Sequence, residues 1–460
     1  MHLLGKFGIP FPRMALATSL AILGCGLVGC NPQPKEQDST AAEHSKDESP
    51  ATSSETPDAS AVDATASNEA AAEVKPLGPL EIDLAKLLTT QLTPEQLDEG
   101  WVSLFDGQSL LGWFAVGIAN WHVQDGVLSV SQGERSFLCT SFQLRDFELQ
   151  LDFRSEATTN SGVFLRTSPL PEDVATESLE LNIAPADNPF PTGSFVERQK
   201  LEPEELGEFD ATQWHTYRVR LDGDHITVHL DGQEVMNFED SLTADQGHIS
   251  LQFREGKVEF RNILMRPIHA QPLATGEEWE QDWVASSKEG AEFSVTAEAD
   301  GLQLSGGLGQ VQSKQAYGDF FLHATYTLAK PEVNSGIFFR CIPDAMLDGY
   351  ECQVNHAVLN DDPSQPADSG AGAIFRRQTA RVVVGDGTTP THLALLASGN
   401  QIASWVNGVL VVDFQDNRAP DENPRNGLRL EPGPISLQGH DPTTQVTYHS
   451  LDISQLYPPK

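Results

Sequence analysis

The seven residues NSGVFLR at 160–166 return as NSGIFFR at 334–340, an offset of 334 − 160 = 174 positions. That offset exceeds the roughly 20–50-residue period of solenoid repeats and suits a whole domain of about 100–200 residues. The chain therefore reads as a duplication. Other segments recur in the same order. WHVQDGVLSV answers to FSVTAEADGLQL, and RDFELQLDFR to GDFFLHATYTL. Glu180-Leu181-Asn182-Ile183 answers to Glu351-Cys352-Gln353-Val354, and GHISLQ at 247–252 to GPISLQ at 433–438. The pattern lapses near HAQPLATGEEWEQ, which places one domain at 79–269 and the other at 278–458.

The local pattern is that of strands. In FELQLDFR, Phe147, Leu149, Leu151 and Phe153 alternate with Glu148, Gln150, Asp152 and Arg154, the period of a half-buried strand. HITVHLDGQEV places Ile226, Val228 and Leu230 on one face before Asp231-Gly232, a hairpin turn. QIASWVNGVLVVDF has Asn407-Gly408 in the same place. Short strands with Gly and Asp turns, and no long 3.6-period stretch, predict an all-β chain of two tandem antiparallel sandwiches. A short amphipathic lead, LEIDLAKLLTTQLTPEQLDEG, is expected to be partly helical.

Asp and Glu total 66 against 29 Lys and Arg, a net charge of −37. That balance excludes a nucleic-acid partner and repels acidic lipid surfaces. Lys6 and Arg13 precede the apolar run ALATSLAILGCGLVG, of signal-peptide length and too short to span a bilayer. It ends at Leu27-Val28-Gly29-Cys30, which resembles a bacterial lipobox. The resemblance implies a signal peptide at 1–29, lipid on Cys30, and a protein anchored in the cell envelope outside the cytoplasm, touching the membrane through that lipid alone. Residues 30–78 are rich in Ala, Ser, Thr, Asp and Glu. They cannot bury enough apolar surface to offset chain entropy and are expected to be a disordered acidic tether. Beyond Cys25 and Cys30 remain Cys139, Cys341 and Cys352. If Arg340 opposes Glu351 in a hairpin, Cys341 and Cys352 lie diagonally, about 7–8 Å apart, too far for an undistorted disulfide.

The economical reading of Asn-Ser-Gly is turn chemistry, since Asn and Gly tolerate positive φ. It leaves the terminal arginines unexplained. If the strands ending in Arg166 and Arg340 neighbour those beginning with Glu180 and Glu351, arginine and glutamate share a face with Asn182 or Gln353. A structural ion pair is one reading of that cluster; planar groups for sugar hydroxyls are the other. The second copy adds His440 after Leu437-Gln438-Gly439, and His356 near Gln353. An imidazole beside a carboxylate suits acid–base work. No His, Asp or Glu cluster carries metal-ligand spacing, and the cofactor is unknown.

The run LFDGQSLLGW, WHVQDGVL, DFELQLDFR, NSGVFLR, a Glu-x-Asn/Gln element, WHTYRV, HLDG and GHISLQ closely resembles the 3-keto-disaccharide hydrolase domain family. The second copy resembles it in DGYECQV, GAGAIF, SWVNGVLVVDF and GPISLQGH. The resemblance covers about 97–457 and implies concanavalin A-like (jelly-roll) sandwiches with the site on a concave face. It also implies an oligosaccharide or oxidised disaccharide as partner, cleaved by hydrolysis or elimination. By position it casts Glu351 or His440 as base and Arg340 as enolate stabiliser. Gln353, His356, Gln438, Arg166, Glu180 and Asn182 would bind substrate. The first copy departs from the family with SLELN in place of Gly-Tyr-Glu-x-Gln and has no histidine after Leu-Gln. The second lacks the LFDG…GW opening and has THLALLA in place of WHTYRV. The second copy is therefore the expected working one. A glycan-binding or scaffold protein on the same fold, or two sandwiches with filled faces, are the alternatives. Convergence of Arg340, Glu351, Gln353 and His440 would favour chemistry.

Overall fold

The computed structural model describes residues 82–89, 92–241 and 246–456, which fall within one compact unit. The expected signal peptide, tether and Cys30 lie outside the described residues. Among those described, each copy builds an eight-stranded and a five-stranded antiparallel sheet. The first five-stranded sheet runs Trp113–Val116, Ser136–Thr140, His248–Glu255, Asn160–Thr167, Leu179–Ile183. The second runs Trp283–Ser287, Gly309–Tyr317, Gly433–Gly439, Ser335–Phe339, Tyr350–Val354, the same order. The fold is all-β with two sandwiches in tandem. The lead segment forms helices Leu84–Leu87 and Pro94–Asp98, the latter closed by a capping box between Thr93 and Gln96. No helix among the described residues is long and apolar enough to cross a membrane.

Alternation sets the cores. Phe147, Leu149, Leu151 and Phe153 are fully buried between the first pair of sheets, each side chain stabilising by roughly 1.5–3 kcal/mol. In the neighbouring strand His215–Asp222, Tyr217, Val219 and Leu221 point inward. Arg218 and Arg220 point outward and bind Glu148 at 2.8 and 2.9 Å. The hairpins turn at Asp231 (φ 50°) and Asn407 (φ 48°), each followed by a glycine, as the DG and NG pairs require.

The equivalent strands of the second copy break the alternation for a physical reason. Leu393 and Leu395 enter the second core, whereas Ala394 and Leu396 on the opposite face join the core of the first copy. A strand covered on both faces loses its polar residues, which accounts for THLALLA. Trp405, on the next strand, is fully buried at this junction. Its ring meets Phe142 edge-on at 5.9 Å, and its Nε1 donates to Ser103 O at 2.9 Å. Ser141 Oγ donates to Asp413 Oδ1 at 2.6 Å, and Arg381 Nη1 to Asp106 Oδ2 at 2.8 Å. Asp106 belongs to the LFDG opening found only in the first copy; part of that opening serves the seam. Leu87 of the lead helix packs in the second core, not the first.

Candidate active site on the outward faces of the five-stranded sheets

Both copies carry the same row of side chains, and the repeated phrase builds it. In the first, Gly162 pairs with Gln252 on one side and Asn182 on the other. In the second, Gly336 pairs with Gln353. Ser161 Oγ donates to Gln252 O at 2.7 Å, and Ser335 Oγ to Gln438 O at 2.8 Å, which locks the flanking glutamine strand in register. The phrase lies within or against a strand rather than in a turn: Gly162 and Gly336 have no positive φ. Their lack of a side chain matters because the glutamate folds over them. A Cβ on Gly336 would sit 3.1 Å from Cγ and Oε1 of Glu351; on Gly162 it would sit 3.3 Å from those atoms of Glu180.

Glu180 and Glu351 pair with Phe164 and Phe338 and are 6% and 8% exposed. Burial pushes each carboxyl up to about 7. Arg135 and Arg254 partly offset this for Glu180, as do Arg425, His440 and Arg376 for Glu351; Asp368 reinforces it at Glu351. Around them lie buried amide oxygens with no protein partner: Asn182 Oδ1, Gln252 Oε1, Gln353 Oε1 and Gln438 Oε1. Buried acceptors need a partner, and a hydroxyl is a suitable donor. Gln353 Nε2 is held by Asp368 Oδ2 at 3.2 Å, and Asn334 Nδ2 donates to the same oxygen at 3.1 Å.

The arginine that ends each phrase lies elsewhere. Glu351 pairs with Phe338, so Arg340 does not oppose it. Arg340 has φ 47° and Arg166 φ 50°, which takes their side chains out of strand alternation. Arg340 is fully buried and donates to Gly318 O, Arg429 O and Asp319 Oδ1, the last at 2.7 Å. Asp319 Oδ2 in turn accepts from Gly399 N, in a hairpin turn of the other sheet. Arg166 donates to Arg145 O and Asp146 Oδ1, and Asp146 accepts from Gly223 N. These arginines clamp the two sheets together. His356 is also outside the cluster. Its Nδ1 faces Gly385 O at 3.2 Å and so carries the proton, leaving Nε2 to accept from Tyr326 Oη at 2.7 Å in the core. Burial lowers its basicity. Cys139, Cys341 and Cys352 are buried, unbridged thiols.

Glu351, Gln353, Gln438 and His440 are therefore brought together, and Arg340 and His356 are not. His440 is exposed, with Nδ1 3.0 Å from Asp441 Oδ2. Glu351 lines a hollow of about 200 Å³ with Tyr350, Phe375, Arg376, Arg377 and Arg425. These arginines were missed by sequence reasoning. Two belong to GAGAIFRRQ, where their charge was the available signal; Arg425 comes from the loop 416–432, longer than its counterpart 240–247. The first copy is altered around the same row. Phe137 stands where the second has Gln310, opposite Gln252 and Gln438 respectively, and packs edge-on against Phe164 at 5.0 Å. Arg254 replaces His440, and Glu197 (φ 58°) replaces Arg376 (φ 59°). Among the described residues no group of three or more His, Cys, Asp or Glu is placed to hold a metal ion.

The 3-keto-alpha-glucoside-1,2-lyase-like domain model matches residues 100–266 and again 270–454. The chain belongs to this family. It is a carbohydrate-related β-sandwich protein with a duplicated domain. A comparison with curated proteins gives no match. Among solved structures it is similar to a putative glycosyl hydrolase from Parabacteroides distasonis, at 20% identity over 38% of this chain and 98% of that one, with a TM-score of 0.33. A carbohydrate-binding module from Bacillus subtilis is similar at 18% identity over 33% of this chain and 93% of that one, with a TM-score of 0.26.

Proposed function

We propose that the second copy of this family member cleaves glycosides already oxidised to a ketone at carbon 3. The observation that carries the reading is Glu351: a buried carboxyl raised to about 7 that lines a hollow with three arginines, shares its sheet face with Gln353 and Gln438, and feels the charge of His440. A carbon 3 ketone acidifies the carbon 2 proton. Ionised Glu351 takes that proton, and the electron pair passes to the ketone oxygen as an enolate held by Arg425. Collapse of the enolate restores the ketone, forms the carbon 1–carbon 2 double bond and breaks the bond from carbon 1 to its oxygen substituent. His440, paired with Asp441, protonates the departing oxygen. Gln353 and Gln438 accept hydroxyl protons and fix the ring. Arg425 takes the role expected of Arg340, because Arg425 lines the hollow with Glu351 and Arg340 lies outside it.

The test is turnover of the full chain on a 3-keto disaccharide and its unoxidised parent side by side. Only the oxidised sugar should be cleaved, and Glu351→Gln should cost roughly 100-fold or more. The mechanism is wrong if Glu351→Gln and His440→Ala both cleave at the parental rate. Binding of both sugars without turnover would assign the sandwiches to glycan recognition instead. The lipobox-like Leu27-Val28-Gly29-Cys30 supports anchoring outside the cytoplasm. Cys30→Ser should abolish incorporation of labelled fatty acid; unchanged labelling would remove that assignment.

A further inference from the structure

We propose that the sugar accepted by the Glu351 hollow is acidic, with a carboxylate on the substrate received by Arg376. The inference rests on reading that hollow as the substrate site and adds the substrate's charge. Three arginines gather there in a chain of net charge −37. Two have work within the protein. Arg425 donates to Leu347 O at 2.9 Å and lies 3.5 Å from Asp348. Arg377 donates to the carbonyls of Arg376 and Arg425. The Arg376 side chain makes no hydrogen bond or ion pair with a described residue. It rests over the Phe375 ring at 5.2 Å and acts electrostatically on Glu351.

Its backbone is also costly. A non-glycine residue at φ 59° stores roughly 1–3 kcal/mol of strain, so the fold fixes the direction in which the exposed Arg376 side chain leaves the backbone. The first copy keeps that backbone, φ 58°, and presents Glu197 from it. The same geometry thus displays opposite charges in the two copies. Acids near Arg376 do not neutralise it: Asp368 is held by Asn334 and Gln353, Asp348 pairs with Arg425, and Glu351 lies in the hollow itself. A neutral sugar offers this guanidinium only hydroxyl oxygens. A carboxylate matches a planar guanidinium in shape and charge. The side-chain oxygens of Gln353 and Gln438, on the same sheet face as Glu351, have no protein partner and suit hydroxyl donors, so a polyhydroxylated acid matches both features.

The experiment is calorimetric binding of the full chain to a glucuronate-containing disaccharide and to its glucose counterpart of the same linkage, at low and high salt. The acidic sugar should bind about tenfold tighter at low salt, with the advantage shrinking as salt rises. Arg376→Gln should erase the advantage and leave the melting temperature unchanged. Equal affinities, an equal loss for both sugars in Arg376→Gln, or no binding of either would overturn the proposal. Tighter binding of a sulfated disaccharide than of the uronate would overturn the carboxylate assignment. Because the readout is binding, failure of the cleavage assay does not decide this result, and failure here leaves the outcome of the cleavage assay intact.

Discussion

At the residue scale, Gly336 and Glu351 form one unit: the glycine leaves the space that the carboxyl occupies. Gly336→Ala should displace Glu351 and reduce turnover of the 3-keto substrate at least about tenfold, while the melting temperature moves by only a few degrees. Glu351 also marks the molecule's response to pH. Its folded-state value is raised from 4.5 to about 7, as is that of Glu180. The folded chain therefore holds protons that the unfolded chain releases between those values, and stability falls as pH rises through that window. Glu351→Gln should match the parent near pH 4 and exceed it by on the order of 3 kcal/mol near pH 8. Urea unfolding at the two pH values checks this; a variant weaker than the parent at pH 8 would contradict it.

At the scale of elements, the clamp between sheets is the part that sequence periodicity concealed. Arg340→Met should strand Asp319 and cost roughly 3–5 kcal/mol in urea unfolding. Turnover per folded molecule should stay at the parental level, which separates a clamp from a catalytic group. The strands themselves were legible: FELQLDFR alternates in the sequence and in the sheet, and DG and NG mark their hairpins. The shared face of Glu351 and Gln353 followed from the period of two. The arginines did not, because one left-handed residue at the end of a strand redirects a side chain without altering the pattern. The turn reading of Asn-Ser-Gly failed because glycine serves close approach here as well as positive φ. Arg376 and Arg425 come from loops, which carry no periodicity to place them.

At the scale of the whole molecule, the junction between the sandwiches holds as a core does. Trp405→Ala should cost roughly 3–5 kcal/mol, seen as a lower urea midpoint. A fragment beginning at residue 270 should aggregate or self-associate on a sizing column, since Ala394, Leu396 and Trp405 would face water. A soluble monomeric fragment would show that this face needs no cover. The two halves are then bound to unequal fates. Mutation is free to alter the row around Glu180, but the domain that carries it cannot be discarded, because its twin would be left with a bare greasy back. The first sandwich persists as a wall.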